Sequence, residues 1–151
     1  MKIATILGTR PEIIKLSSVI PLLEKEFEHL IIHTGQHYDY ELDESFFEQL
    51  NLPKPQYNLR TGSGSQGRQT GWMLEKIEEV LLVEKPELVI VHGDTNTTLA
   101  GALAATKLHI PVAHIEAGCR SFNNKMPEEK NRVIVDQISD YLFAADEDSY
   151  R

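Results

Sequence analysis

Short apolar runs alternate with segments of helical periodicity along this chain. The apolar runs indicate buried strands, with one shorter strand among them, at residues 3–7, 30–34, 57–59, 88–91, 111–115 and 141–144. Between these runs, apolar residues at helical spacing indicate helices, the clearest of them at 42–50, 96–108 and 133–138. Strands that alternate with helices predict an α/β fold with a doubly wound parallel sheet of the Rossmann-like kind.

Two segments depart from this regular pattern. A helix is predicted to begin near Thr9 and Pro11, and its apolar residues continue to Leu23. Pro21 lies inside that span and should kink or shorten the helix, because proline cannot donate a hydrogen bond to the carbonyl one turn back. Residues 61–71 are rich in Gly and Ser, so a mobile loop is expected there before the next helix.

Length and charge narrow the class of protein. The 151 residues are enough for one compact domain, 1–151, and a net charge of −8 argues against a nucleic acid or an acidic membrane as partner. No apolar run approaches the roughly 18 residues of a membrane span, so a cytoplasmic protein is expected. The chain stops directly after a predicted strand, where another helix should begin. This position favours the first half of a longer protein over a short terminal helix.

Ionisable residues follow the predicted strands at the edge where parallel sheets bind ligands. Arg10 follows the first strand at a helix N-terminus, and Lys15 lies one turn further along the same helix. Because helix N-termini favour anions, this pair is a candidate contact for a phosphate or diphosphate. The alternative is that both residues are solvent-exposed charges.

Two His-x-acid patterns follow the strands at 88–91 and 111–115. They are His92-x-Asp94 and His114-x-Glu116, and each histidine is expected beside its own acid because residues two apart in a strand share a face. Three interpretations stay open from these residues alone. They are a metal site with two histidines and two carboxylates, acid–base chemistry by carboxylates with separated pKa values, and a structural role in which Asp94 caps the next helix.

A helix start is also predicted at residues 127–132. Glu128 lies in the first turn, where acids are favoured, and it has the i, i+4 spacing of a surface ion pair with Arg132. On these residues alone, the surface pair is the favoured interpretation.

A glycine motif at residues 62–67 literally matches G-x-G-x-x-G. A dinucleotide site carries this motif directly after the first long buried strand, which is not its place here. No nicotinamide site is therefore predicted, and a flexible loop that folds over a ligand fits the segment better.

Five short motifs occur in a defined order along the chain, at residues 8–12, 34–37, 91–95, 114–120 and 127–132. Together they resemble the non-hydrolysing UDP-N-acetylglucosamine 2-epimerase family over the whole chain. The resemblance implies the first of two Rossmann-like domains in a glycosyltransferase-B-like arrangement, with substrate in the cleft between them. A C-terminal domain with most of the uridine contacts would then lie beyond residue 151, and this half alone should turn over little or nothing.

The resemblance also implies a reaction. UDP is eliminated across C1–C2 of the sugar, which leaves 2-acetamidoglucal bound, and UDP is added back after reprotonation on the other face, with no metal and no redox cofactor. Asp94, Glu116 and Glu128 match the three functional carboxylates of the family, with acid and base unassigned. Arg10 and Lys15 match residues near the diphosphate.

Four further residues lie within or beside the matching motifs and are expected to contact the UDP-sugar; they are His37, His92, Arg120 and Arg132. Tyr38 stands where many bacterial members have arginine, so the allosteric site for a second substrate molecule is not expected in the same form. The motifs also look like those of relatives acting on UDP-2,3-diacetamido-glucuronic acid, which leaves the sugar open. A homodimer is expected for the full-length protein. The alternatives are a metal-assisted hydrolase and a non-catalytic nucleotide-sugar binding module.

Overall fold

Six parallel strands form a single sheet in the computed structural model, which describes residues 1–36 and 40–150, and the side chains of 1–36 and 43–150. The strands are β1 (Lys2–Leu7), β2 (Glu28–His33), β3 (Tyr57–Asn58), β4 (Leu88–His92), β5 (Val112–Ala117) and β6 (Tyr141–Ala144). Their order in the sheet is β3-β2-β1-β4-β5-β6, so the direction of strand addition reverses between β1 and β4. The predicted doubly wound parallel sheet is confirmed.

The helices connect consecutive strands. They are α1 (Arg10–Leu16), α2 (Ile20–Glu26), α3 (Tyr40–Gln49), α4 (Gln66–Glu84), α5 (Asn96–Lys107), α6 (Pro127–Ile138) and α7 (Glu147–Tyr150). Pro21 lies in the first turn of α2, so the predicted interruption of the first helical segment is confirmed. No helix among these residues is long and apolar enough to cross a membrane.

The predicted loop at 61–71 is wrong over its second half, because α4 already begins at Gln66. Gly67 and Gly71 have open space around the position of a side chain, so they lie on the solvent side of this helix. The opposite side buries Met73 and Ile77 against the sheet. Tertiary burial of that apolar side therefore outweighs the low helix propensity of two glycines.

Two apolar layers enclose the sheet. Alternate residues of β2 separate into them: Leu30 and Ile32 pack with α4 and α5, whereas Ile31 packs with α1 and α3. Helix α5 approaches the sheet closely, since a Cβ at Gly101 would lie 3.1 Å from side-chain atoms of both Ile6 and Val91. Helices on opposite faces diverge at the β1–β4 reversal and leave a crevice at the carboxyl ends of these strands.

Candidate active site

The candidate functional residues at the crevice lie at the carboxyl ends of β1, β4 and β5 and in the turns that follow these strands. Two of these turns need glycine, because Gly93 and Gly118 have φ of +74° and +81°. Glu116 also has a positive φ, +65°, although it is not glycine. A non-glycine residue held in this region is under backbone strain, which proteins tend to keep at functional positions. The local backbone therefore presents Glu116 at the strand end at an energetic cost.

Asp94 lies half-buried in the turn after β4. Its carboxylate accepts a hydrogen bond from Arg132 of α6 at 2.5 Å, and its backbone carbonyl accepts one from Asn131 at 2.9 Å. The cap of α5 is Thr95, which forms a capping box with Thr98. The structural interpretation in which Asp94 caps this helix is therefore wrong, and the Asp94 side chain is directed at a cation instead.

Glu116 lies between a lysine and a histidine. Lys15 Nζ is 2.6 Å from Glu116 Oε1, and His92 Nε2 is 3.5 Å from Glu116 Oε2. Three elements, α1, β4 and β5, thus converge on one carboxylate. Lys15 does reach back toward the strand ends as its helical position predicts, and it meets a carboxylate there.

The two histidines differ from the expectation that each lies beside its own acid. His92 faces Glu116 on the neighbouring strand, and His114 contacts Asp136 at 2.6 Å and the carbonyl oxygen of Gly93 at 2.7 Å. The His-x-acid spacing predicted the common strand edge correctly, but the positive φ of Glu116 and Gly93 turns the acids away from their sequence neighbours.

The surroundings of His92 favour its uncharged form. Burial lowers its pKa below the usual value of 6.5, the positive charge of Lys15 acts in the same direction, and the carboxylate of Glu116 opposes both. Its Nδ1 is buried and has no hydrogen-bond partner within the described residues. A neutral histidine beside a carboxylate can donate or accept a hydrogen bond, and it does not add a second positive charge next to Lys15.

Two arginines that were predicted to contact substrate, Arg10 and Arg120, interact with carboxylates of the protein. Arg10 Nε lies 3.3 Å from Asp43 Oδ1 of α3, and its guanidinium is 6.0 Å from the centre of the Phe46 ring. Arg120 donates at 2.7 Å to Asp136, which fixes it along the turn after β5. Both cations line the same sheet edge as Asp94 and Glu116, but protein carboxylates hold them.

Glu128 is half-buried in the first turn of α6. It forms no ion pair with Arg132, whose guanidinium binds Asp94 and Glu129 at 2.5 and 2.9 Å. The predicted surface pair is therefore wrong. Residues four apart share a helix face, so Glu128 lies on the face of α6 that approaches Asp94. His37 lies outside the described residues.

Glu129, next to Glu128 in the sequence, is a buried carboxylate that sequence reasoning missed. It accepts hydrogen bonds from the Ser121 amide and hydroxyl at 2.9 and 3.0 Å, and from the Phe122 amide at 3.1 Å. These bonds, the Ser121 amide first, lower the pKa of Glu129 to about 2. The pattern of two adjacent glutamates in a first turn does not show which of them is buried.

Asp136 is a second carboxylate that the sequence did not single out. It accepts hydrogen bonds from the Gly118 amide at 2.9 Å and from Arg120 at 2.7 Å, and it contacts His114 at 2.6 Å. Because His114 also contacts Gly93, Asp136 connects the turn after β4, which carries Asp94, to the turn after β5, which follows Glu116. In the sequence it is one polar residue on a helix, with no distinguishing signal.

Glu12 is the third missed residue and is buried in the first turn of α1. Its Oε1 accepts hydrogen bonds from the hydroxyls of Thr9 at 2.8 Å and Thr95 at 3.2 Å. The Thr9-x-x-Glu12 spacing is that of a capping box, but no side-chain cap bond forms at Thr9, and its hydroxyl bonds to the Glu12 carboxyl instead. The contact with Thr95 joins residues 83 positions apart and has no local signal.

No group of three or more histidine, cysteine or acidic side chains within the described residues is arranged to hold a metal ion. The four residues of the metal interpretation form three separate contacts instead: Asp94 pairs with Arg132, Glu116 lies between Lys15 and His92, and His114 contacts Asp136. What the arrangement can do is move protons, since two carboxylates at one edge are each paired with a cation and one has a neutral imidazole beside it.

The chain is similar to known sugar-nucleotide epimerases. The profile of the family described as UDP-N-acetylglucosamine 2-epimerase matches residues 22–151. A UDP-N-acetylglucosamine 2-epimerase of Methanocaldococcus jannaschii is 64% identical over 148 residues, which are 97% of this chain and 40% of that protein. A UDP-2,3-diacetamido-2,3-dideoxy-D-glucuronate 2-epimerase of Pseudomonas aeruginosa is 57% identical over 145 residues, 95% of this chain and 41% of its own length.

Solved structures agree with the sequence relatives. The M. jannaschii enzyme in complex with UDP-GlcNAc and UDP superposes with a TM-score of 0.95 at 62% identity, over 99% of this chain and 42% of the other. A glycosyltransferase from Streptomyces sp. SF2575 gives 0.59 at 16% identity over 89% of this chain and 44% of its own, a likeness of fold alone. The chain therefore spans about 40% of the length of the epimerases it matches.

Proposed function

Because this chain belongs to the UDP-N-acetylglucosamine 2-epimerase family, we propose that it is the N-terminal catalytic domain of an isomerase that converts UDP-GlcNAc to UDP-ManNAc. The observation that carries the proposal is the pairing of Asp94 with Arg132 and of Glu116 with Lys15 at one edge of the sheet. Inversion at C2 requires removal of a proton from one face and its return to the other, so it requires two positioned acid–base groups.

In the proposed reaction, one carboxylate removes the C2 proton while the C1–O bond breaks and UDP leaves with the bonding electrons. The sugar is then 2-acetamidoglucal. UDP adds back at C1 after a second group delivers a proton to the opposite face of C2, which restores the UDP-sugar with inverted configuration. We assign Asp94, Glu116 and Glu128 to this proton chemistry.

The basic residues have a separate task in this proposal. Charge develops on the diphosphate as the C1–O bond breaks, and preorganised cations stabilise it. The proposed source of that stabilisation is Arg10 at the start of α1 and Lys15 in its last turn, with Arg120 and Arg132 around the neighbouring turns. His37 and His92 are further proposed substrate contacts. Incoming diphosphate would compete with Glu116 for Lys15, which would release the Glu116 carboxylate for proton transfer.

A C-terminal domain would supply the opposite wall of the cleft, as the 40% coverage of the M. jannaschii relative suggests. We therefore expect the isolated 151 residues to bind UDP-sugar weakly and to turn over little or none. The acidic chain is expected to bind no nucleic acid. The complete protein is expected to be a cytoplasmic homodimer, which light scattering and cell fractionation would check.

A related substrate is the second candidate, because the P. aeruginosa relative that is 57% identical acts on a UDP-linked diacetamido glucuronate. That sugar carries a carboxylate at C5 and a second acetamido group at C3, so it demands additional polar contacts. Both substrates share the hydrogen at C2, the acetamido group at C2 and the UDP leaving group at C1. The same proton chemistry therefore serves either sugar, and a direct comparison of the two decides between them.

The decisive experiment places this chain in front of the remaining 60% of the M. jannaschii enzyme, in exchange for its matching segment. Proton NMR in heavy water then follows the C2 proton of UDP-GlcNAc and of the diacetamido glucuronate. Loss of the C2 signal with growth of the epimer is expected for the fusion, with the faster substrate identified as the preferred one. Line broadening without exchange is expected for the chain alone.

Matched variants test the assignment of the carboxylates in the same fusion. Asp94→Asn and Glu116→Gln should each lower the rate of C2 exchange by about 100-fold or more, the usual effect of removing an acid–base group. Glu79→Gln on the exposed side of α4 is the control and should leave the rate unchanged. A fusion that binds UDP-GlcNAc but exchanges no C2 proton would refute the epimerase assignment and favour a binding module.

A further inference from the structure

Glu12 connects two of the turns that form the crevice. It is 2% exposed, and its Oε1 accepts hydrogen bonds from the hydroxyls of Thr9 and Thr95. Thr9 precedes Arg10 at the start of α1, and Thr95 directly follows Asp94 at the start of α5. One carboxyl oxygen therefore links the turn after β1 to the turn after β4, between a proposed diphosphate contact and a proposed acid–base group.

The other oxygen of Glu12 has an unusual environment. Oε2 is buried and has no hydrogen-bond partner within the described part of the chain. A negative charge there would lack both water and a counter-charge, because the cations of α1 are directed elsewhere, Lys15 to Glu116 and Arg10 to Asp43. An uncharged carboxyl group avoids that cost.

The negative charge of Asp94 opposes the ionisation of Glu12. The pKa of Glu12 is raised from 4.5 to about 8, first by burial and further by the negative charge of Asp94, whereas hydrogen bonds from Thr9, Thr95 and the Gly8 backbone act against the rise. At neutral pH Glu12 is therefore mostly protonated, and its ionisation would place a second negative charge beside Asp94.

We propose that Glu12, in its uncharged form, is a positioning residue that holds the α1 turn bearing Arg10 and the α5 turn bearing Asp94 in one fixed geometry. The roles of Arg10 and Asp94 in this inference rest on the proposed function; the link between the two turns does not. When Glu12 loses its proton, the new charge draws in water or repels Asp94, and the two turns change their relative position.

The link is tested on the 151-residue chain by NMR as the pH is raised from about 3.5 to 9.5, a range that covers both the ordinary pKa of a glutamate and the raised one. The carboxyl carbon of Glu12 and the amides of Thr9 and Thr95 should shift together near pH 8. In Glu12→Gln the two amides should show no such step, and in the control Glu79→Gln the step should remain. A Glu12 carboxyl carbon that titrates near pH 4.5, or an amide step that survives in Glu12→Gln, would overturn the proposal.

A second measurement uses the epimerase fusion and separates positioning from folding. Its kcat/KM should fall about tenfold per pH unit above about pH 8, as expected for one required proton. Glu12→Gln keeps an uncharged acceptor for the two threonines and should lose this decline while it retains most of the activity at pH 7. An unchanged alkaline decline in an active Glu12→Gln fusion would overturn the positioning role. A wild-type fusion without epimerisation would refute the proposed function instead, and the NMR titration would still decide on Glu12.

Discussion

Replacing Glu12 with glutamine should make the stability of this protein less dependent on pH. The folded chain holds the Glu12 proton up to about pH 8, whereas the unfolded chain releases it near 4.5. Between these two values the unfolded state binds fewer protons, so each rise in pH lowers the free energy of unfolding of the wild type. The stabilising contribution of protonated Glu12 is therefore fully present below pH 4.5, and it is lost above about pH 8.

The size of the effect follows from the shift in pKa. One pKa unit corresponds to about 1.4 kcal/mol, and the shift from 4.5 to about 8 is therefore equivalent to about 5 kcal/mol. At pH 7 the wild type should already have lost about 3 kcal/mol of this contribution. Glutamine cannot ionise and so lacks this loss, but its amide adds a donor in a buried position, which costs about 1–3 kcal/mol at every pH.

The informative quantity is thus the difference in free energy of unfolding between Glu12→Gln and wild type as a function of pH. Urea unfolding followed by far-ultraviolet circular dichroism at several values from pH 4.5 to 9 gives this difference by linear extrapolation. We expect it to change in favour of the variant by about 3 kcal/mol between pH 4.5 and 7, and then to level off above about pH 8. Two stability curves that run parallel over the whole range would refute the argument that burial keeps Glu12 protonated.

Two further predictions concern packing and a second carboxylate. Gly8→Ala should lower the free energy of unfolding by about 1–3 kcal/mol, because the added methyl overlaps the hydroxyls of Thr34 and Thr97. Gly71→Ala, which lies in the interior of α4 with open space around it, should instead raise the free energy of unfolding by about 0.5–1 kcal/mol. Thermal unfolding that ranks the two variants the other way would contradict this. Glu129 has its pKa lowered to about 2, so its contribution to stability is present above pH 4.5 and lost as the pH falls toward 2. Acid unfolding of Glu129→Gln should lack that part of the wild-type dependence, and identical acid transitions would contradict it.

Secondary structure was predictable because its signal is local. The apolar runs at 3–7 and 88–91 and the small-residue helix at 96–108 were recognisable from neighbours within a few residues of one another. The start of α4 was not, because Gly67 and Gly71 argued against a helix and the compensating burial of Met73 depends on the distant sheet. Local propensity is a weak guide where a buried apolar face decides the outcome.

The clustering of the candidate residues at one edge of the sheet was predictable for a related reason. In a parallel sheet with right-handed crossovers, all strands end at one edge, so ionisable residues just after the strands must lie near each other. The position of Asp94 and Glu116 at one edge of the sheet was predicted in this way, and the ordered motifs made the family recognisable. The sequence also suggested that Lys15 reaches toward the strand ends, since its position within the helix directs it there.

The sequence by itself thus determined the succession of strands and helices along the chain, the edge of the sheet at which Asp94 and Glu116 lie, and the family. Only the tertiary structure decided which charges meet: Lys15 with Glu116, Arg132 with Asp94, and Glu12 with Thr95. Hydrophobic periodicity reports on residues close in the chain, whereas these contacts join segments tens of residues apart. The protonation of Glu12 depends on the same long-range packing, because burial and the nearby charge of Asp94 raise its pKa.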